Sequence, residues 1–361
     1  MRSGFLPARV VHVHPTRACN LACVHCYSDS SPDVRESLDA ARILDALALL
    51  RAEGYEVVSI SGGEPLVYRP LVQLAAGASA LGFRVHMITN GILLSEERLA
   101  ALAPYLFLMG VSLDGAEGVH NAVRGRDDAF RHARHALDRL ARADTPFGII
   151  YAVTKPSLAD IPWAFELARE LGARLLHLRP LAPEGRARAL DDQWTLSPED
   201  CARLFLLATL LDAPPPVATA QDANTVAHTE MSPRVQVDLV RAEDLADARS
   251  QFALLDPAGR IESLSDAINP LVLDADGRCY PFSHGIDPSL TVADIRQPMH
   301  ADSFRPHEAM MKRLRDLLLA TFLEGERAAV PFVDWFALLT RVSRQRAGSG
   351  VSPKAQAGHR P

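Results

Sequence analysis

The sequence predicts an α/β protein: an open, partial (β/α)6 barrel followed by a small α+β C-terminal domain. Three observations predict it. Six short, apolar, β-branched segments alternate with helical segments through the first half of the chain, the pattern of parallel βα units. Such crossovers are right-handed, so the sheet curls with its helices outside, and six units are too few to close an eightfold barrel. Polar and glycine-rich stretches recur directly after successive strands, where sites form in sheets of this kind.

The elements follow in order. Residues 9–14 (Arg-Val-Val-His-Val-His) form a short buried strand, with a cysteine-rich loop at its C-terminal end. Residues 37–53 form a helix with Ile43, Leu44, Ala46, Leu47 and Leu50 along one side. Residues 57–61 are the second strand, leaving through Gly62-Gly63-Glu64-Pro65, and a helix spans 71–81. The third strand leaves through Thr89-Asn90-Gly91, the fourth (106–113) through Asp114-Gly115, and the fifth is 147–153. The sixth, 174–178, leaves through Arg179-Pro180, and helices near 127–142 and 157–171 separate the later strands. Ser197-Pro198-Glu199-Asp200 starts a further helix: an N-cap, a proline in the first turn and acids at the positive end. Ala213-Pro214-Pro215-Pro216 breaks the chain, and residues 270–281 read as a hairpin around a Gly-containing turn. These signals divide the chain into a barrel (1–212), a hairpin domain (213–300), closing helices (301–342) and a polar, disordered tail (343–361).

Composition bounds the function. The chain has 361 residues, 48% hydrophobic and 23% charged, the balance of a globular protein. A net charge of −6 argues against a nucleic-acid partner. Residues 1–11 lack the apolar core of a signal peptide, and no apolar run reaches a membrane span. Five cysteines, three of them clustered, fit a reducing, cytoplasmic setting better than a disulfide framework.

The chemistry centres on Cys19-Asn20-Leu21-Ala22-Cys23-Val24-His25-Cys26-Tyr27. Thiolates are soft ligands, suited to iron–sulfur clusters, zinc or copper(I). Three on one loop can hold three corners of a four-iron cubane and leave the fourth iron for a small molecule. A zinc site completed by His12, His14 or His25, or three structural thiols, are the rival readings of the residues alone.

The CxxxCxxC spacing, with His before the last Cys and Tyr after it, resembles the signature of the radical S-adenosylmethionine (SAM) superfamily, in its SPASM/twitch branch. That resemblance implies a [4Fe–4S] cluster on Cys19, Cys23 and Cys26, with SAM as second cofactor. Gly62-Gly63-Glu64-Pro65 resembles the motif that binds the SAM amino group: glycines admit an amine to backbone carbonyls, and Glu64 adds negative charge. A Gly63→Val change is expected to block SAM while leaving the cysteine loop intact. By the same resemblance His25 faces the adenine, and Ser112, in Ser112-Leu113-Asp114-Gly115, binds the ribose. Arg124 pairs with the SAM carboxylate, Asn90 contributes near the ribose, and Asp114 is the candidate catalytic residue, handling substrate or a proton.

The C-terminal hairpin resembles that of SPASM and twitch domains but departs from it, since those domains carry several cysteines and here only Cys279 lies in the hairpin. Cys201 is expected to be a buried small hydrophobe, and even with His284 as a supplement the ligand count predicts a single cluster. The implied function is a radical SAM enzyme that cleaves SAM reductively and abstracts hydrogen from a peptide or protein in peptide maturation. A small metabolite or tetrapyrrole intermediate is the alternative substrate. A non-catalytic zinc or electron-transfer protein is the alternative of another class. Eighteen residues precede Cys19, so a peptide substrate is expected to need a separate leader-peptide-recognition protein. A flavodoxin or ferredoxin is the expected electron donor.

Overall fold

In the computed structural model, residues 8–213, 232–245, 252, 254–255, 261–328 and 330–349 are described. The six predicted strands form in the predicted order: β1 (Val10–Val13), β2 (Val57–Ile60), β3 (Arg84–Thr89), β4 (Leu106–Ser112), β5 (Phe147–Val153) and β6 (Leu175–Pro180). Neighbours in this series pair in parallel. Strand alternation separates two faces. Val11, Val13, Val58, Ile60, Val85 and Met87 are buried in the core. His12, Ser59 and His86, in register across β1–β3, point to the opposite, inner face.

The helices cover the apolar face. Ile43, Ala46, Leu47 and Leu50 of α1 (Ala40–Ala52) are buried there, and Asp39 caps the helix by accepting from the Ala41 amide. The outer layer continues with α2 (Leu71–Ala80), α3 (Glu96–Leu102), α4 (Glu117–Arg124), α5 (Ala129–Arg142) and α6 (Ile161–Glu170). Helix α7 (Pro198–Asp212) opens on a capping box in which Ser197 and Asp200 each bind the other's backbone amide. Neither α3 nor α4 was expected from the sequence. Both are too short for a periodic apolar stripe to register, and packing rather than propensity holds them.

The sheet runs beyond the six predicted strands at both ends. Strand β7 (Arg234–Val237) pairs parallel to β6. A two-residue strand, β8 (Val240–Arg241), follows, and a short helix, α8 (Leu264–Ala267), precedes β9 (Leu271–Leu273). Strand β9 pairs parallel to β1 and antiparallel to β10 (Arg278–Pro281), which pairs with β11 (Ala293–Asp294). One ten-stranded sheet results, ordered β11-β10-β9-β1-β2-β3-β4-β5-β6-β7. The hairpin expected to belong to a separate unit therefore continues the barrel sheet. Leu271-Val272-Leu273 is buried throughout, and its local sequence carries no sign that its partner lies some 260 residues away at β1.

Helix α9 (Glu308–Arg327) packs on the C-terminal helix, and β12 (Phe332–Val333) pairs with β8. The C-terminal helix, α10 (Trp335–Ser349), runs through residues 343–349, which the composition had placed in a disordered tail. Val342 and Ser343 are buried, and Ser343 Oγ bonds the Thr340 carbonyl and the Asp287 amide, so a polar sequence forms a packed helix face. The proline stretch 214–216 and residues 350–361 lie outside the described residues. No described helix is long and apolar enough to cross a membrane.

Candidate cofactor site at the strand C-termini

The cysteine loop leaves β1 at the C-terminal rim of the sheet. Cys19, Cys23 and Cys26 are unbridged thiols. Burial pushes the Cys19 thiol up to about 12 and the Cys23 thiol up as well. Thiols raised in this way become thiolates only with a compensating cation. Segments from four other elements fix the loop. Val24 donates to the Val123 carbonyl of α4 at 3.0 Å, and Asn90, after β3, donates to Asn20 Oδ1 at 2.8 Å. From the loop after β6, Arg186 Nε donates to the Cys23 carbonyl at 2.8 Å, Nη2 to the Ser30 carbonyl at 2.7 Å, and its amide to the Cys26 carbonyl at 2.9 Å.

The turn after β2 is the fourth clamp. The Gly63 amide donates to the Thr16 carbonyl at 2.9 Å and the Glu64 amide to the Ala18 carbonyl at 3.0 Å. A Cβ on Gly63 would stand 2.2 Å from the Ala18 oxygen, so only glycine lets the two backbones meet. Gly62 adopts φ +102° beside His14 and Thr16. The expectation that a side chain at Gly63 spares the cysteine loop is therefore corrected: this glycine packs on the chain entering the loop.

Glu64 points inward, 1% exposed. Its Oε1 accepts from the Leu66 amide at 3.0 Å and Thr89 Oγ1 at 2.7 Å, and Oε2 accepts from the Asn90 amide at 2.8 Å. Burial pushes the carboxyl up against these bonds. Of its four lone-pair positions, one on Oε2 is left for a ligand. Pro65 opens the short turn Pro65–Val67 that Glu64 caps.

Asp114, after β4, is buried beneath the loop. Arg124 of α4 grips it with Nε at 2.5 Å from Oδ2 and Nη2 at 3.0 Å from Oδ1. His25 Nε2 lies 3.7 Å and His120 Nδ1 3.5 Å away. Burial pushes the carboxyl up, but Arg124, with His25 and His120, outweighs it and holds Asp114 well below the usual carboxylate range. A carboxylate so held is the ionised partner of Arg124. The fork of Arg124 is likewise engaged by Asp114, with Nη1 at 3.9 Å from Cys23 Sγ. Asp114→Asn leaves a buried guanidinium without its counter-ion and is expected to destabilise the protein by about 3 kcal/mol. Chemical denaturation checks this, and an unchanged midpoint would refute the pairing.

The inner face of the sheet is polar. His12 on β1 senses Arg179 and Asp238 from the opposite edge, which follows from the curl of the sheet, and burial lowers its pKa to about 3. Asp238 accepts from Arg179 Nε at 3.0 Å and lies 2.7 Å from His177 Nε2. Ser112 ends β4 on this face, in register with Ile150. Asp334 accepts from the Ala337 amide at 3.0 Å at the start of α10. Burial raises its pKa to about 6, with Asp238 adding to the effect. The folded state thus holds a proton that the unfolded chain releases near pH 4. Stability is expected to fall as pH rises from about 4 to about 6, by roughly 1–2 kcal/mol, and to level off above. Asp334→Asn keeps the cap acceptor and should flatten that segment of a Tm-versus-pH curve; an unaltered curve would refute the assignment.

Residues 13–168 match the family model described as the Radical SAM superfamily. Over those residues the chain carries a radical SAM domain. The AdoMet-dependent heme synthase of Methanosarcina barkeri is 35% identical over 203 residues, 55% of this chain and 56% of that protein. The mycofactocin maturase MftC of Mycobacterium tuberculosis is 30% identical over 258 residues, 70% of this chain and 63% of that protein. The chain spans about half the length of the first curated relatives it matches. Among solved structures, Streptococcus suis SuiB bound to S-adenosylmethionine superposes with a TM-score of 0.65 at 14% identity, over 86% of this chain and 68% of that one. anSMEcpe with bound AdoMet gives 0.60 at 18% identity, over 92% and 88%. At these identities the likeness is one of fold.

Radical SAM proteins use a [4Fe–4S] cluster and SAM, and the residues present fit both. A single tetrahedral ion would draw its thiolates to about 4 Å apart. The three sulfurs here are not all within 4.8 Å of one another, and no histidine joins them at that range among the described residues. Two buried polar atoms beside the radical SAM loop, His25 Nδ1 and Asn20 Nδ2, lack a hydrogen-bond partner, as expected where a polar ligand belongs. The structure brings Cys19, Cys23, Cys26, His25, Gly62, Gly63, Glu64, Asn90, Asp114 and Arg124 to one rim. Sequence reasoning missed Arg186 and Gly185, the latter at φ +54° with a built Cβ 2.3 Å from the Cys26 carbonyl. The Gly185-Arg186 pair after the sixth strand was the one available signal.

Proposed function

We propose that this chain is an enzyme acting on a peptide or protein, with Cys19, Cys23 and Cys26 holding the cluster and the Gly62–Pro65 turn, His25, Asn90 and Ser112 framing SAM. The chemistry that a bound cluster and SAM supply is reductive cleavage of SAM to a 5′-deoxyadenosyl radical, which abstracts hydrogen from a C–H bond. The observation that carries the reading is the three-thiol loop clamped at the strand C-termini by Gly63 and Arg186. Arg186 holds the loop backbone and Asn90 the Asn20 side chain, Glu64 ties the β2 turn to β3 and keeps one lone pair for an ammonium, and Asp114 orients Arg124 beside Cys23. An electron donor of flavodoxin or ferredoxin type belongs to this proposal, as does a separate protein that holds the substrate's leader.

The inner face favours a peptide. His12, held neutral by burial, and Gln236 are hydrogen-bonding groups suited to amides, and Arg179 and His177 already pair with Asp238. A tetrapyrrole bearing several carboxylates calls for unpaired cations. The relatives include SuiB, solved with its precursor peptide SuiA, and the sporulation killing factor maturation protein SkfB. The alternative, a tetrapyrrole, rests on the 35% identity to an AdoMet-dependent heme synthase. Anaerobically reconstituted protein, reductant and SAM, offered candidate precursor peptides and iron-coproporphyrin III in parallel, test the choice. Faster 5′-deoxyadenosine formation with a peptide is expected. Stimulation by the porphyrin alone would overturn the peptide assignment, and no SAM cleavage at all would overturn the enzyme.

A further inference from the structure

Three strand ends deliver ligand side chains to a second point on the rim. His14 follows β1, Asp274 follows β9, and His284 lies just past β10. The His14 amide donates to the Leu273 carbonyl at 2.8 Å, which sets the first two side by side. One nitrogen from each ring and one Asp274 oxygen all lie within 4.8 Å of one another, the one such group among the described residues. His14 Nδ1 is 3.1 Å from Oδ1 and His284 Nε2 3.5 Å from Oδ2. His14 and Asp274 are buried, while the His284 side chain is 18% exposed.

Hydrogen bonds within the group do not account for it. Arg17 Nη2 donates to Asp274 Oδ2 at 2.8 Å and Tyr27 Oη lies 3.3 Å from His14 Nε2, so the carboxylate and the first ring are satisfied. His284 Nδ1 is buried and has no partner. One buried imidazole nitrogen is thus left over, and an unmade bond of that kind is costly.

We propose that His14, Asp274 and His284 bind one mononuclear divalent transition-metal ion, separate from the cysteine loop. Two imidazoles and a carboxylate suit Zn(II) or Fe(II) and leave further positions open. Arg17 and Tyr27 orient Asp274 and His14 from behind, as outer partners of metal ligands do. Glu36, 3.2 Å from Arg17 Nη1, offsets the charge of the guanidinium. His284 is the donor nearest solvent, so a substrate or water oxygen reaches the ion from its side. Cys279 is not a ligand: it is fully buried in the apolar core.

Zn(II) is the first probe. Full-length reconstituted protein, incubated with Zn(II) and desalted, is expected to retain about one zinc per chain, with iron and sulfide unchanged. Asp274→Asn and His284→Gln should each lower zinc affinity at least about tenfold without changing iron content. The Asn variant is near-isosteric and still accepts from Arg17. Co(II) gives a second readout: weak visible bands of nitrogen and oxygen ligation are expected. No retained zinc, equal retention by both variants, or an intense thiolate-to-cobalt band would each overturn the site. The parent measurements decide the matter even if a variant fails to fold.

Discussion

Replacing any one of Cys19, Cys23 and Cys26 with Ala is expected to remove the brown cluster and, with it, 5′-deoxyadenosine formation, by a factor on the order of 10³ or more. Two thiolates hold a cubane poorly, and no described His, Asp or Glu joins the three sulfurs within 4.8 Å to act as a substitute. The fold should survive, because the loop hangs on hydrogen bonds with Asn90, Gly63, Arg186 and Val123 that do not involve the sulfurs. Iron and sulfide analysis with circular dichroism separates the two effects. A single-cysteine variant that kept about four irons per chain would sink the assignment.

Gly63→Val is expected to lose the cluster and SAM binding together. Its Cβ would meet the Ala18 carbonyl at 2.2 Å and the Arg17 carbonyl carbon at 2.8 Å, both backbone atoms that move only by shifting the chain into the loop. The two hydrogen bonds that join these backbones would break. Overpacking of this severity costs about 3 kcal/mol or more. Gly118 is the control, since a Cβ there meets nothing within 4 Å, and Gly118→Ala should leave iron content and Tm unchanged. Near-parental iron content in Gly63→Val, with SAM affinity alone reduced, would show that the turn contacts SAM without supporting the loop.

The second-metal proposal bears on how the C-terminal hairpin is used. Two of its three ligands, Asp274 in the hairpin and His284 just past it, belong to this region, and the third comes from the barrel. A metal there would tie β9 and β10 to β1 at the same rim as the cysteine loop.

By itself the sequence determined the strand order, the strand-end placement of the motifs and the residues of the cysteine loop. These features are local: a β-branched run, a glycine turn and a CxxxCxxC spacing each act over fewer than about ten residues. The capping box at Ser197 was legible for the same reason. Tertiary structure alone decided what those motifs touch. That Gly63 faces Ala18, that Arg186 reaches the Cys23 carbonyl, and that Asp114 is consumed by Arg124 depend on loops brought together by sheet register. The hairpin's union with β1 likewise rests on a pairing between segments far apart in the chain. Long-range contacts of this kind leave no periodicity in either partner, because what selects them is burial and backbone hydrogen bonding in the assembled sheet.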